Sequence, residues 1–182
     1  MSRKIELPKI DERDIEKIYR YLSRKYYSFR ETRNQTTIAL LLKSGLKTEP
    51  IIALNLKDYD KKLGIITPSH PKAPKKIVLD QTTQKLVNRY LFLRKRKKFT
   101  EDVPALFINS KPISKDPEKL RLSARQIQRI VREFAEKYEL SALLKPKSFR
   151  HLAGLYYTSL GLDHVTIDSI LGNVGAMGKK RI

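Results

Sequence analysis

The sequence contains no cysteine among its 182 residues and has no long apolar run. Without cysteine there can be no disulfide bond, no thiolate metal site and no cysteine nucleophile. The longest uninterrupted apolar stretch covers residues 38–42, far short of the roughly 20 residues of a transmembrane helix. The first residues also lack the apolar segment of a signal peptide. We therefore expect a soluble protein of the cytoplasm with no membrane partner.

Acidic residues are scarce as well. The chain has 19 Asp and Glu against 39 Lys and Arg, which gives a formal net charge of +20. Such an excess repels itself in the compact state unless an anionic partner binds. Nucleic acid is the first candidate, because its phosphates attract Lys and Arg whatever the base sequence. Adaptation to a hot or salty cytoplasm is the alternative, but lysine enrichment there comes with glutamate, so the composition favours nucleic acid.

The spacing of apolar residues predicts a mainly α fold with a small antiparallel β element in one compact domain. Seven helices are expected. The second ends at Gly45, because glycine suits the left-handed position after a helix, and the third has Thr48 as its N-cap. Two strands, residues 63–67 and 76–79, flank a loop rich in proline and lysine.

The second half of the chain carries further local signals. Residues 105–109 are expected to form a short strand or extended segment. Ser123 and Gln126 form a capping box, which predicts the start of a helix with a basic outer face. The basic run at residues 94–98 is interpreted as a solvated helix end, with phosphate contact or a localisation signal left open. Residues 148–160 and 163–171 are predicted to form the last two helices.

One short motif reduces the range of candidate functions. Residues 147–151, Lys-Ser-Phe-Arg-His, open a helix, and a Leu-Gly turn begins at Leu171. Residues 44–47, Ser-Gly-Leu-Lys, look like the Thr-Gly-Leu-Arg turn that closes an earlier helix in one known family. With these motifs in this order, the chain from about Asn34 onward resembles the catalytic domain of tyrosine recombinases, the phage-integrase family.

The resemblance implies DNA as the partner and phosphoryl transfer as the chemistry. In that family two arginines and a histidine neutralise the phosphate in the transition state. A lysine of the β-hairpin protonates the departing oxygen, and a tyrosine forms the covalent 3′-phosphotyrosine. The matching catalytic positions here are Lys47, Lys72, Lys147, Arg150 and Asn173. No cofactor is implied, and no histidine has metal-ligand spacing.

The chain departs from the family pattern at several of these positions. Lys47 stands where the first arginine is expected, so the charge is kept but the planar fork is lost. Lys147 replaces the usual histidine, as in the Lys-x-x-Arg motif of some archaeal viral integrases, and Asn173 replaces histidine or tryptophan. The nucleophile is expected nine or ten residues after Asn173, and no tyrosine follows Tyr157. We therefore expect a DNA-binding protein that cannot cleave DNA as this chain stands.

Two alternatives stay open. The first is an active integrase of a virus or plasmid whose nucleophile lies on another segment or comes from a second protomer. The second is an interaction protein that associates with a recombinase, or with itself, and modulates recombination. Each retained side chain also has a structural alternative: Arg150 could form an ion pair with an acidic neighbour, His151 is more often a packing or capping residue, and Tyr156 belongs to the core by default.

Double-stranded DNA is the expected partner. The helix that starts after Ser123 resembles the family's major-groove helix. We divide the chain into an N-terminal linker and helix, residues 1–30, and a catalytic-like domain, residues 31–182. The predicted DNA-binding residues lie on this helix, on the hairpin and on the helix of the Arg-His pair: Arg125, Gln126, Arg129, Lys75, Lys76, Arg150 and His151.

Overall fold

The computed structural model describes residues 12–71, 76–140 and 144–171. Within these ranges it confirms a mainly α fold with seven α-helices and one small antiparallel sheet. Among the described residues, no helix combines the length and the apolar character needed to cross a bilayer. The helices are α1 Glu12–Ser23, α2 Phe29–Ser44, α3 Thr48–Ala53, α4 Gln81–Lys95, α5 Ala124–Lys137, α6 Ser148–Ser159 and α7 His164–Leu171.

Helix α2 forms the centre of the core, with α4 and α6 packed against it. It begins after Ser28, whose side chain accepts a hydrogen bond from the Glu31 amide, and such a cap satisfies one of the free amides of the first turn. Ile38 and Leu41 are fully buried. The helix ends at Gly45, which has φ of +59°, so the predicted end of this helix is confirmed.

The sheet has three strands in the order β1-β2-β3, with the strands Tyr59–Asp60, Ile65–Ile66 and Ile77–Val78. The two predicted strands are present but shorter, and β1 is a third strand that the pattern of residues did not predict. The reason is a capping box between Asn55 and Asp58, which forms a 3₁₀ turn at Leu56–Asp58. That turn directs Tyr59 into pairing with Ile66.

Two local predictions were wrong. The N-cap of α3 is Lys47, and it makes no side-chain cap hydrogen bond, whereas Thr48 is already helical. The basic run at the end of α4 is not wholly solvated, because Arg94 is buried and donates hydrogen bonds to the carbonyls of Val103 at 2.6 Å and Ala105 at 3.1 Å. Arg94 therefore anchors the segment at Val103 and Ala105 to α4. Residues 105–109, expected to be a strand or extended segment, form only isolated bridges at Ala105 and Ile108 with bends between them.

Helix α1 packs on the two helices that carry most of the predicted site. The Tyr21 ring lies 4.7 Å from Phe134 and 5.3 Å from Tyr138 on α5, between ring centroids. Tyr19 lies 5.7 Å from Tyr156 on α6. Aromatic pairs at these separations contribute packing beyond the area that they bury, so α1 helps to hold α5 and α6.

Candidate nucleic-acid interface

The basic outer face of α5 follows from how the helix starts. The Ser123 hydroxyl accepts from the Gln126 amide, and the Gln126 side chain accepts from the Ser123 amide at 2.8 Å, so the predicted capping box is confirmed. Ile127 and Ile130 are buried on the inner face of α5. Helical spacing then places Arg125 and its basic neighbours on the outer face.

A groove of about 1020 Å³ runs between this face of α5 and residues 144–147. We call it the α5 groove. Seven of its described lining residues are Lys or Arg, and the described lining contains no Asp or Glu. The lining includes Arg125, Gln126 and Arg129 from α5, together with Lys147 at the start of α6. Four of the predicted site residues therefore meet in one basic groove.

Four of the seven cations already have acidic partners. Arg129 pairs with Glu133 at 3.7 Å and Arg132 with Glu136 at 3.8 Å, both one turn along α5. Arg121 pairs with Glu118 at 3.2 Å, and Lys119 pairs with Asp116 at 4.0 Å. Arg121 also donates to the carbonyls of α3 and the residue after it. These pairs neutralise part of the positive charge and fix the side chains.

The other three cations are Arg125, Lys145 and Lys147. All three are exposed, and none forms an ion pair with another residue of the described ranges. These three cations could contact an anion without displacing a carboxylate of the described residues. Lys145 was not singled out from the sequence, although its position two residues before Lys147 is a signal that could have found it.

The side chain of Gln126 is less available for contact with DNA than its place among the predicted DNA-binding residues implies. Its amide nitrogen donates to the Asn109 side chain while its oxygen holds the Ser123 amide. Contact with a base edge would require at least one of these hydrogen bonds to break. The role of Gln126 in base contact stays a prediction, whereas its hydrogen bonds show that it caps α5.

A second cationic region surrounds Arg150 on α6, and we call it the Arg150 corner. The guanidinium donates to the Gly45 carbonyl at 3.1 Å. A Cβ atom added to Gly45 would lie 2.3 Å from the Leu171 side chain on α7 and 3.7 Å from that of Arg150. The turn that leads to Lys47, the first turns of α6 and the end of α7 therefore meet at Arg150.

The surroundings of Arg150 change the pKa of its guanidinium in two opposite directions. Burial lowers the pKa of the guanidinium, and the carboxylate of Asp168 opposes that shift. Asp168 is therefore an acidic residue near Arg150, and the hydrogen bond to the Gly45 carbonyl gives Arg150 a structural contact. Lys47, by contrast, is exposed and has no ion pair with a described residue.

The other predicted positions are dispersed. His151 is exposed, so of the packing and capping roles expected for it, burial in the core is excluded and capping stays a prediction. Lys76 is exposed at the start of β3, and neither residue lines the α5 groove. Lys72, Lys75 and Asn173 lie outside the described residues.

The tyrosines of α6 are engaged in packing and hydrogen bonding. The Tyr157 hydroxyl donates to the Lys43 carbonyl, and burial, followed by the neighbouring Tyr156 and Asp80, raises the pKa of Tyr157 to about 12. The Lys43 ammonium lies 3.7 Å from the centroid of the Tyr156 ring. A phenol with a raised pKa is a weaker nucleophile at neutral pH.

Lys43 is a buried cation beside the candidate site that the sequence did not reveal. Its side chain is only 8% exposed and pairs with Asp80 at 3.3 Å. Burial on its own raises the pKa of Asp80, but hydrogen bonds from Thr83 and the charge of Lys43 overcome that effect and lower it. The one available signal was a lysine directly after an apolar run in α2. Lys43 links α2, α4 and α6 behind the Arg150 corner.

No group of three or more His, Asp or Glu side chains within the described ranges could hold a metal ion. The chemistry that the described residues offer is therefore cationic: exposed Lys and Arg in the α5 groove, and an oriented guanidinium in the Arg150 corner. Both suit phosphate oxygens, since arginine and lysine donate charge-assisted hydrogen bonds to them.

Known proteins share this sequence pattern. The phage integrase family matches residues 8–174. The tyrosine recombinase XerC of Thermodesulfovibrio yellowstonii is 28% identical over 150 residues, which cover 80% of this chain and 48% of that protein. XerC of Chlamydia pneumoniae is 27% identical over 151 residues, covering 82% and 45%. The chain thus spans about half the length of these curated relatives.

Solved structures share the fold. The crystal structure of XerA recombinase superposes with a TM-score of 0.74 at 20% identity, covering 94% of this chain and 56% of that one. XerH recombinase bound to its difH substrate, in a pre-cleavage complex, gives a TM-score of 0.69 at 18% identity, covering 93% and 48%. These likenesses confirm the predicted fold class.

Proposed function

The chain belongs to the phage integrase family, the tyrosine recombinases, and from that premise we propose that it binds duplex DNA in DNA integration or recombination. The α5 groove carries this proposal. Its described lining has seven cations and no acid, and three of the cations are exposed and form no ion pair with a described residue. An α-helix fits the major groove of B-DNA, so α5 presents Arg125 to base edges while Lys145 and Lys147 neutralise phosphates.

We propose further that these 182 residues bind DNA without cleaving it. Lys47 supplies a point charge where a fork would donate two parallel hydrogen bonds to a phosphate. Tyr157 is bonded to the Lys43 carbonyl and Tyr156 is packed under the Lys43 ammonium, so neither approaches the Arg150 corner as an attacking group. The sequence has no tyrosine after Tyr157. Without an attacking group the covalent intermediate cannot form.

A second candidate is an active recombinase whose nucleophile comes from another segment or another protomer. The contact between Arg150 and the Gly45 carbonyl favours it, because the turn that leads to Lys47 and the Arg150 helix are assembled together. The curated relatives are tyrosine recombinases by name. Association with a recombinase or with a second copy, location in the cytoplasm and an archaeal viral origin stay predictions.

The decisive experiment is incubation of the 182-residue chain with nicked suicide duplexes, followed by native and denaturing gels. We expect a shifted complex on the native gel and no covalent adduct on the denaturing gel. The variant with Arg125→Gln, Lys145→Gln and Lys147→Gln is the control and should lose the shift. A phosphotyrosine adduct mapped to any residue of the chain would establish the second candidate.

A gain-of-function variant separates the causes of inactivity. Lys47→Arg and Asn173→His, together with an appended family-like segment that carries a tyrosine, should restore cleavage if the Arg150 corner is intact. Appending the segment without Lys47→Arg should restore less. Inactivity of both variants would mean that other parts of the site have diverged.

A further inference from the structure

A second surface, distinct from the α5 groove, combines exposed aromatic rings with cations. Tyr27, between α1 and α2, is 75% exposed, and Phe92 on α4 is 63% exposed. Exposed large aromatics usually mark a contact surface when they cluster with other binding chemistry. We call this region the α4 surface, and it comprises Lys25, Tyr27, Lys85, Arg89, Phe92 and Arg96.

Its rings and cations are interleaved. The Arg89 guanidinium lies 5.2 Å from the centroid of the Tyr27 ring, and the Lys25 ammonium lies 5.6 Å from it. The Arg96 guanidinium lies 5.6 Å from the Phe92 ring. Arg89, Phe92 and Arg96 are three and four residues apart, so they share one face of α4. The contacts therefore form one continuous surface across Tyr27 and α4.

The charge of this surface is uncompensated. Helix α4 contains no Asp or Glu, and residues 24–28 contain none either. Lys25, Lys85, Arg89 and Arg96 form no ion pair with the residues that the structure describes. In the α5 groove, four of seven cations have acidic partners within the fold. The α4 surface thus offers cations that have no described acidic partner and that lie against exposed aromatic rings.

We propose that the α4 surface binds a single strand of nucleic acid. Exposed rings stack on unpaired bases, and the adjacent cations track the phosphates. A duplex would use only the cations, because its base faces are covered by neighbouring base pairs. From Lys85 to Arg96 the helix advances about 16 Å at 1.5 Å per residue, which suits the short end of single-strand site sizes, about four nucleotides. None of these residues lines the α5 groove.

The test is fluorescence anisotropy with labelled oligothymidine and oligouridine of about 12 nucleotides, measured with the full chain across a salt series. Because a chain of charge +20 attracts any polyanion, the informative quantity is the dependence on the rings. Tyr27→Ala with Phe92→Ala should weaken single-strand binding at least about 10-fold, since stacking contributes roughly 1–3 kcal/mol per base. The same pair should change duplex binding less than about 3-fold.

Matched variants make the result specific. Tyr27→Phe with Phe92→Tyr keeps both rings and should bind single strands like the parent, which also controls for folding. Arg125→Gln with Lys147→Gln, in the α5 groove, should weaken duplex binding and leave the ring-dependent part of single-strand binding in place. Preference for oligothymidine over oligouridine, or the reverse, would identify DNA or RNA as the source of the strand.

Three outcomes would overturn the proposal. The first is unchanged single-strand affinity in the Ala pair. The second is an equal loss of duplex and single-strand affinity, which would make the rings structural. The third is ring-dependent binding to phosphatidylserine vesicles without ring-dependent binding to oligonucleotides, which would assign the surface to a membrane. Duplex binding through the α5 groove is measured in the same assay, so either proposal can fail while the other stands.

Discussion

The α5 groove and the Arg150 corner are both cationic, but they hold their charges differently. In the α5 groove, Arg125, Lys145 and Lys147 are exposed and unpaired with the described residues. In the corner, Arg150 is half-buried, donates to the Gly45 carbonyl and lies near Asp168, and burial lowers its pKa. Exposed cations attract phosphates without a fixed geometry. A guanidinium that is hydrogen-bonded within the fold instead presents its N–H groups in a fixed direction.

That difference separates binding from catalysis. Affinity for DNA needs cations that can reach many phosphates, and the groove offers these. Stabilisation of a phosphoryl-transfer transition state needs donors that are fixed before the reaction, and the corner has one such donor in Arg150. Lys47, two residues after Gly45, is exposed and has no guanidinium, so it cannot offer the planar fork of an arginine. On the function proposed above, the α5 groove would serve DNA binding, and the Arg150 corner would orient a phosphate.

The largest expected effect is the response of duplex binding to salt, because the groove charges are exposed. If six to ten phosphates are contacted, the affinity should fall by roughly 10³–10⁵ between 50 and 200 mM salt. Electrophoretic shifts or anisotropy over a salt series would measure the slope. Arg125→Gln, Lys145→Gln and Lys147→Gln together should lower the slope by about three, whereas Arg150→Gln should lower it by about one at most. Salt-independent binding would contradict the role given to the α5 groove.

The next largest effect is a loss of stability, which we expect from the substitution Gly45→Ala in the Arg150 corner. Gly45 has φ of +59°, and a Cβ there would lie 2.3 Å from Leu171. The left-handed backbone costs about 1–2 kcal/mol and overpacking about 1–3 kcal/mol, so the free energy of unfolding should fall by about 2–5 kcal/mol. Chemical denaturation measures this change.

Gly154→Ala is the matched control on α6. No atom lies within 4 Å of the Cβ that it would add, and alanine is favoured over glycine inside a helix by about 1 kcal/mol. This variant should be as stable as the parent or more so. Equal destabilisation by both substitutions would mean that the close contact among Gly45, Leu171 and Arg150 does not hold the corner together.

Local signals predicted the parts of the fold that depend on neighbouring residues. Gly45 ends α2 because only a few residue types tolerate positive φ, and the Ser123 capping box starts α5 because its two hydrogen bonds join residues three apart. The resemblance also placed Lys47 and Arg150 at positions of one site. Arg150 does contact the turn before Lys47, although more than 100 residues separate them along the chain.

Tertiary contacts decided the rest. Arg94 lies in a basic run, yet it is buried and donates hydrogen bonds to the carbonyls of Val103 and Ala105. The Lys43–Asp80 pair joins two helices, and nothing adjacent to either residue in the sequence signals the other. Strand β1 follows from a turn set by Asn55 and Asp58 rather than from strand-forming residues. Such features depend on which segments meet, and the periodicity of a single chain does not specify that.

A smaller expected effect distinguishes base contact from phosphate contact within the groove. Arg125→Ala should cost about 1–3 kcal/mol of binding free energy on a preferred duplex if Arg125 contacts a base, and much less on unrelated duplexes. Arg125 lies just inside the N-terminus of α5, is exposed and pairs with no described acid. Selection of a preferred sequence from a random duplex pool, followed by titration of both duplexes, measures the difference. An equal loss on all duplexes would make Arg125 a phosphate contact only.

The smallest effect is expected from Arg129→Ala, and it tests whether internal pairing separates cations within the same groove. Arg129 lies one turn after Arg125 on α5, but its guanidinium is 3.7 Å from Glu133, a carboxylate that Arg30 also contacts at 3.0 Å. A charge that is already partly balanced releases fewer counterions on binding, so the salt slope should fall by less than the unit expected for Arg125→Ala. Loss of the pair on the helix surface should lower the free energy of unfolding by only about 0.3–0.5 kcal/mol. The two variants, measured side by side in anisotropy titrations over the same salt series, form a matched pair. If Arg129→Ala lowers the slope as much as Arg125→Ala does, Glu133 releases Arg129 when DNA binds, and the groove then presents more free cations to DNA than it does in this structure.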